Sequence, residues 1–257
     1  MPELFVCFIA FAASALTLFS GFGLGTLLLP AFAAFFPVEM VIAMTAIVHF
    51  LNNVFKFFLL GKKADWKIVL RFGLPSVAAA LLGAWLLNKL AVLGPISEYT
   101  LFGKSFELIP IKLTVAVLLT AFALFDLIPG LSRLEFNKKY LPLGGLLSGF
   151  FGGLSGHQGA LRSAFLIRSG LSKEAFIATG IIIACMVDIS RLTIYSGQIM
   201  KAHHQLDYLF ILVAVLSAFA GAFAGNLLLK KVTLKAVRFM VATGLIIFSV
   251  FLALGLI

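Results

Sequence analysis

Two apolar stretches, Leu4 to Phe36 and Leu141 to Ile167, are each interrupted by glycine: GFGLG at Gly21 to Gly25 and GGLSGHQG at Gly152 to Gly159. About 20 residues cross the hydrocarbon core, so each stretch is too long for one crossing and marginal for two. Each reads as helix, break, helix. Irregular backbone at membrane depth persists only where protein buries it or where it lines a watery cavity. Paired interruptions at matching places in two halves therefore point to a transporter with its site near the bilayer midplane.

Composition leaves no room for a soluble domain. The 257 residues are 62% hydrophobic and only 12% charged, with a mean hydropathy of +1.13, the range of polytopic membrane proteins. The net charge of +10 does not indicate nucleic acid, because the basic residues sit in short loops between apolar runs, where they act as orientation signals. Cys7 and Cys185 lie inside apolar segments and read as small hydrophobes, without metal or disulfide spacing. No metal and no cofactor is expected. Met1-Pro2-Glu3 lacks the basic start of a secretory signal, so the first segment is expected to stay in the fold.

Six further stretches are long enough to span: Val38 to Leu60, Ile68 to Leu93, Ile109 to Ile128, Glu174 to Ser196, Leu206 to Leu229 and Ala236 to Ile257. Loop charge arbitrates how the two broken stretches cross, since cytoplasmic loops carry the Lys and Arg excess. If each crosses once, the basic loops Lys62/Lys63/Lys67/Arg71 and Lys230/Lys231/Lys235/Arg238 fall on opposite sides. If each returns to the side it entered from, both join Arg133/Lys138/Lys139 and Arg168/Lys173 on one side, leaving Lys89, Lys104, Lys112 and Lys201 on the other. The second topology restores the bias. It predicts an all-α polytopic membrane protein of two inverted repeats, each a re-entrant helical hairpin plus three transmembrane helices. Residues 1–131 form the first repeat (hairpin 4–36) and 132–257 the second (hairpin 141–167). Both termini are then extracytoplasmic, and the two hairpin tips meet in mid-membrane.

The halves resemble each other in order. A shift of 134 places Gly25 on Gly159 and Thr45 on Thr179, and sets VIAMT against FIAT. Ser76 to Lys89 resembles Ser217 to Lys231, both rich in the small residues that let membrane helices approach closely.

Several polar residues lie inside the predicted spans. Thr45, His49, Asn52, Asn53 and Lys56 share one helical face, and Asp188, Arg191 and Tyr195 share another. His157, Gln158 and Arg162 follow the second break. Ionisable groups at that depth cost about 2.5 to 3.5 kcal/mol each, so they are paired or functional. Lys56, about 8 Å before the end of its span, has snorkelling as an alternative; Arg191 has snorkelling or a simple bridge to Asp188. His49 has a helix-to-helix hydrogen bond as its plain reading. One acid against three bases suits an anionic substrate. The second arm of each hairpin would also aim free N–H groups and a positive dipole end at the centre.

The sequence resembles the TauE/SafE family of membrane permeases, often called sulfite exporters. The resemblance rests on GFGLGTLLLP (Gly21 to Pro30), AIVHFLNNVFK (Ala46 to Lys56), GHQGALRSAFLIRSGLSKEAFIATG (Gly156 to Gly180) and VDISRLTIY (Val187 to Tyr195). It implies secondary transport of small sulfur-containing oxyanions such as sulfite, thiosulfate or sulfoacetate across the bacterial inner membrane, with proton coupling as an expectation. Many members carry three consecutive glycines at the first break, where this chain has Gly23-Leu24-Gly25. His157 and Gln158 stand at the second break where glycine is common in the family. Substrate contacts are expected from Gly25, Asn52, Asn53, Lys56, Gln158, Gly159, Arg162 and Arg191, with His49 or Asp188 carrying a proton. A passive anion channel and a permease for a non-sulfur organic anion are the alternatives. A membrane enzyme would need a nucleophile or metal set, and the sequence offers neither. The partners expected are the bilayer, the anion and protons, and an oligomer is compatible with the sequence.

Overall fold

The computed structural model describes residues 2–20, 23–101, 103–201, 207–228 and 234–256. The first broken stretch is two helices, α1 (Pro2–Ser20) and α2 (Leu24–Ala33), and α2 packs back on α1. The interruption falls at the expected GFGLG segment, of which Gly21 and Phe22 lie outside the described residues. Three long helices follow: α3 (Val38–Leu60), α4 (Trp66–Ala91) and α5 (Pro110–Leu127). Asp65 caps α4 by accepting from Ile68 N at 3.0 Å, which satisfies one orphan donor of the first turn.

A one-turn helix, α6 (Pro129–Ser132), leads into the second broken stretch, α7 (Leu141–Ser155) and α8 (Gly159–Leu166). Gly156 ends α7 with φ of 80°, and its N–H donates to Gly152 O at 2.9 Å; only glycine adopts that backbone without strain. The chain closes with α9 (Lys173–Lys201), α10 (Tyr208–Leu228) and α11 (Leu234–Ala253). Among the described residues five helices, α3, α4, α5, α9 and α10, are long and apolar enough to cross a membrane. The sixth expected span corresponds to α11, apolar over Val241–Ala253. The chain is an all-α multi-pass membrane protein. The expected basic loop at Lys230 and Lys231 lies outside the described residues.

Glycine decides which helices touch. On α7, Gly145, Gly149 and Gly153 form a row one turn apart; a Cβ on each would stand 2.3, 2.2 and 2.1 Å from the carbonyl oxygens of Phe72, Ser76 and Ala80 on α4. No side chain fits there, so the two backbones are in contact. Both series rise together, and α4 and α7 run parallel. The same device joins α10 to α1, where Gly221 and Gly225 face the carbonyls of Phe11 and Ala15, again in parallel. By contrast α3 and α9 run antiparallel, because His49 meets Asp188 while Asp65, beyond the end of α3, donates from its N–H to Thr179 Oγ1 near the start of α9. α5 and α11 are also antiparallel: Thr120 and Ser249 hydroxyls are 2.6 Å apart, and Glu107, before α5, abuts Gly255 after α11.

One element was not foreseen. Between α4 and α5 the strands β1 (Ser97–Leu101) and β2 (Lys104–Leu108) form an antiparallel hairpin, with Glu98 opposite Glu107 and Tyr99 stacked on Phe106. Tyr99 OH donates to Leu254 O at 2.6 Å, tying the hairpin to the end of α11. The alternation in SEYTL and KSFEL around Gly103 carries the signal, but it is short beside the apolar spans that dominate the sequence.

Candidate functional site

Where α3 and α9 cross, Asp188 is the hub. Its Oδ2 lies 2.6 Å from His49 Nδ1 and accepts from Asn53 Nδ2 at 3.3 Å. The other oxygen accepts from Arg191 Nε at 3.0 Å and lies 2.8 Å from Arg191 Nη2. Asp188 and Arg191 are 0% and 1% exposed, so neither reaches water, and the bridge reading of Arg191 is the one the geometry supports. A buried carboxylate persists because each oxygen is occupied by donors. Arg191 also rests against the left-handed turn at Gly156, where a Cβ would lie 2.7 Å from Nη1. Tyr195, one turn further along α9, donates from its hydroxyl to Gly153 O at 2.6 Å. One face of α9 thus holds both α3 and the end of α7.

The two breaks come together at this level. A Cβ placed at Gly23 or Gly25 would lie 3.9 or 4.0 Å from Gly156 O. His49 Nε2 faces the first break, 3.6 Å from a Cβ at Gly23, and Gly25 packs on Thr45.

Beside the hub is a cavity with about 50 Å³ of space for the centres of water-sized molecules, room for a few waters or one small oxyanion. Thr17 of α1 and Gly23 and Leu24 at the start of α2 form one wall; His49, Asn53 and Lys56 of α3 form the second. Arg162, Ser163 and Leu166 of α8 oppose them, and Phe176, Ile177, Gly180 and Ile181 of α9 close the remainder. It lies toward the end of the bundle where α3 finishes and α9 begins, the end that carries Lys62, Lys63, Arg168 and Lys173. Two cations face it, and no acid lines it among the described residues.

Arg162 lies over Gly180 of α9, where an added Cβ would make ordinary van der Waals contact with Nε at 3.4 Å. Arg162 Nη1 and Thr17 Oγ1 are buried without a hydrogen-bond partner among the described residues. Lys56 is 4% exposed. It does not snorkel; with the Asn52 amide turned to satisfy its neighbours, Lys56 Nζ lies 3.0 Å from Asn52 Oδ1.

The expected site residues separate into two groups. Asn53, Lys56, Arg162 and His49 line the cavity. Asn52 does not: it turns to Ser14 of α1 and, through its nitrogen, to Ala218 O of α10. Consecutive residues on a helix diverge by about 100°, so the single polar face read from spacing serves two directions. Gly25, Gln158, Gly159, Arg191 and Asp188 also stand outside the cavity wall. Gln158 is 1% exposed with neither amide atom partnered, and His157 stacks on Phe122 while its Nδ1 faces Ser155 O at 2.9 Å. Thr17, Ser163 and Gly180 were missed. Thr17 and Ser163 are single hydroxyls in apolar helices, which spacing does not flag, whereas Gly180 sits within the FIATG segment that the repeat had marked.

Long apolar helices surround an internal cavity that two cations face, and the class of protein, a membrane permease rather than an enzyme, comes from the family to which the sequence belongs. The chain belongs to the TauE/SafE family: the family description "Sulfite exporter TauE/SafE" matches residues 6–252. No curated protein matches the chain.

Proposed function

We propose that this chain is a secondary transporter of small sulfur-containing oxyanions, such as sulfite, thiosulfate or an organosulfonate like sulfoacetate, in a bacterial inner membrane. The observation that carries the reading is the pairing of Lys56 and Arg162 on one cavity whose wall, among the described residues, contains no acid. An anion there would meet charge-assisted donors from both, the hydroxyls of Thr17 and Ser163, and free N–H groups at the start of α2. Family membership supplies the sulfur chemistry.

Alternating access by inverted halves accounts for the helix directions. Two repeats with three crossings each have opposite orientations, so the matching helices α3 and α9, and likewise α5 and α11, should run antiparallel. A chain of eight plain crossings would make both pairs parallel. The exchanged contacts fit as well: α1 packs on α10 as α7 packs on α4. The cavity then opens toward the basic, cytoplasmic end, with the hairpins re-entrant and both termini outside.

Purified protein in liposomes should take up sulfite or sulfoacetate saturably, by exchange that membrane voltage does not drive. Linear, voltage-driven current would favour a channel. Transport of carboxylates alone would remove the sulfur assignment.

A further inference from the structure

We propose that His49 Nε2 shares one proton with the bound oxyanion, so that the cavity takes each anion together with one proton, and that Asp188 positions the ring without itself carrying that proton. This rests on the anion-site reading above and specifies its chemistry.

The geometry divides the two nitrogens of His49. Asp188 keeps one oxygen on Arg191 and presents the other to His49 Nδ1 at 2.6 Å. A carboxylate held this way only accepts, so Nδ1 carries the hydrogen and donates. Asn53 Nδ2 lies 3.1 and 3.4 Å from the two ring nitrogens. It reaches both only from above the ring face, since in the ring plane Cε1 would block it, and it therefore leaves the in-plane lone pair of Nε2 untouched. Nε2 itself stands 3.6 Å from a Cβ placed at Gly23, and His49 and Gly23 both line the cavity.

Around Nε2 the charged groups of the wall are both donors, Lys56 from α3 and Arg162 from α8, beside the Asn53 amide and the hydroxyls of Thr17 and Ser163, which either donate or accept. The charged and titratable groups facing His49 are Asp188 and Arg191 on α9, Lys56, Arg162, and His157 in the second break; α2 and α10 bring none. An oxyanion oxygen against a bare lone pair repels it, and one proton between them removes the repulsion. If the anion arrives as an acid, its O–H donates to Nε2. Transfer breaks that O–H bond, leaves its electron pair on oxygen, forms N–H from the nitrogen lone pair, and sets an imidazolium against Asp188 and a more negative anion against Lys56 and Arg162. If the anion has no O–H, the proton must come from water. Asp188 has no oxygen left over for the task.

Calorimetric binding to the purified full chain, in two buffers of different ionisation enthalpy, counts the proton. In alkaline buffer, where free imidazole is unprotonated, methanesulfonate should bind with uptake of about one proton, and its affinity should fall roughly tenfold per pH unit. Sulfite offered below its second ionisation, where it is hydrogen sulfite and brings its own proton, should show no such uptake. H49Q should bind methanesulfonate more weakly and without proton uptake. D188N should show uptake reduced below one with an altered pH profile, a change that loss of packing alone would not make. Methanesulfonate binding to the wild-type protein without proton uptake overturns the proposal, and so does unchanged uptake in H49Q. The wild-type count decides even if a variant fails to fold. Failure of both anions to bind at any pH would instead remove the anion-site reading.

Discussion

Arg162→Ala separates a substrate arginine from a structural one by the sign of its effect on stability. Arg162 Nη1 is buried with no partner among the described residues, and the guanidinium lies beside Gly180, 3.4 Å from where a Cβ would stand. A bound oxyanion would supply at least one charge-assisted hydrogen bond, worth about 1.5 to 3 kcal/mol. At about 1.4 kcal/mol per tenfold, loss of that bond weakens anion binding by roughly ten- to a hundredfold. Arg162→Lys retains the charge but not the planar fork, and should lose less. Protein stability should move the other way. Removing a buried cation that makes no salt bridge among the described residues, Asp188 being already paired with His49 and Arg191, relieves a desolvation cost, so the melting temperature in detergent should hold or rise. Ligand-induced shifts in melting temperature measure both quantities in one titration, because stabilisation grows with ligand concentration over Kd. A variant that melts lower while its sulfite affinity is unchanged would refute the reasoning, since Arg162 would then be holding the fold.

Other perturbations follow from the same contacts. Arg191→Met leaves the Asp188 carboxylate buried beside only His49 and Asn53, and should destabilise by about 3 to 5 kcal/mol; adding Asp188→Asn should recover part of the loss in a denaturation assay. Gly149→Val places a branched side chain where even a Cβ meets Ser76 O at 2.2 Å, so α4 and α7 must part, with a loss of about 1 to 3 kcal/mol or more visible as a lower melting temperature. Tyr195→Phe removes the 2.6 Å bond to Gly153 O and should cost about 1 to 3 kcal/mol through the unpaired buried carbonyl, measurable by the same assay.

Much of the fold was legible because membrane folds are built from coarse signals. Apolar length located α3, α4, α5, α9 and α10, and glycine clusters located both interruptions, since a run of apolar residues in lipid has few alternatives to helix. The small-residue resemblance between Ser76 to Lys89 and Ser217 to Lys231 marked α4 and α10, the helices that meet α7 and α1. The β-hairpin at Ser97 to Leu108 escaped because its five-residue strands are exposed and outside any apolar run.

At the site, sequence and structure divided the work differently. Residue type and spacing determined that His49, Asn53, Lys56, Asp188 and Arg191 would lie within membrane helices and face protein, because charge at that depth is too costly against lipid. Which of them met was a matter of tertiary packing. Only the antiparallel crossing of α3 and α9 brought His49 within 2.6 Å of Asp188, 139 residues away. The same crossing turned Asn52 toward α1 and α10, took Arg191 out of the cavity into an ion pair, and left Lys56 and Arg162 facing open space. Helical periodicity fixes the angle between side chains on one helix, but the partner each side chain meets depends on where the glycine rows allow neighbouring backbones to close.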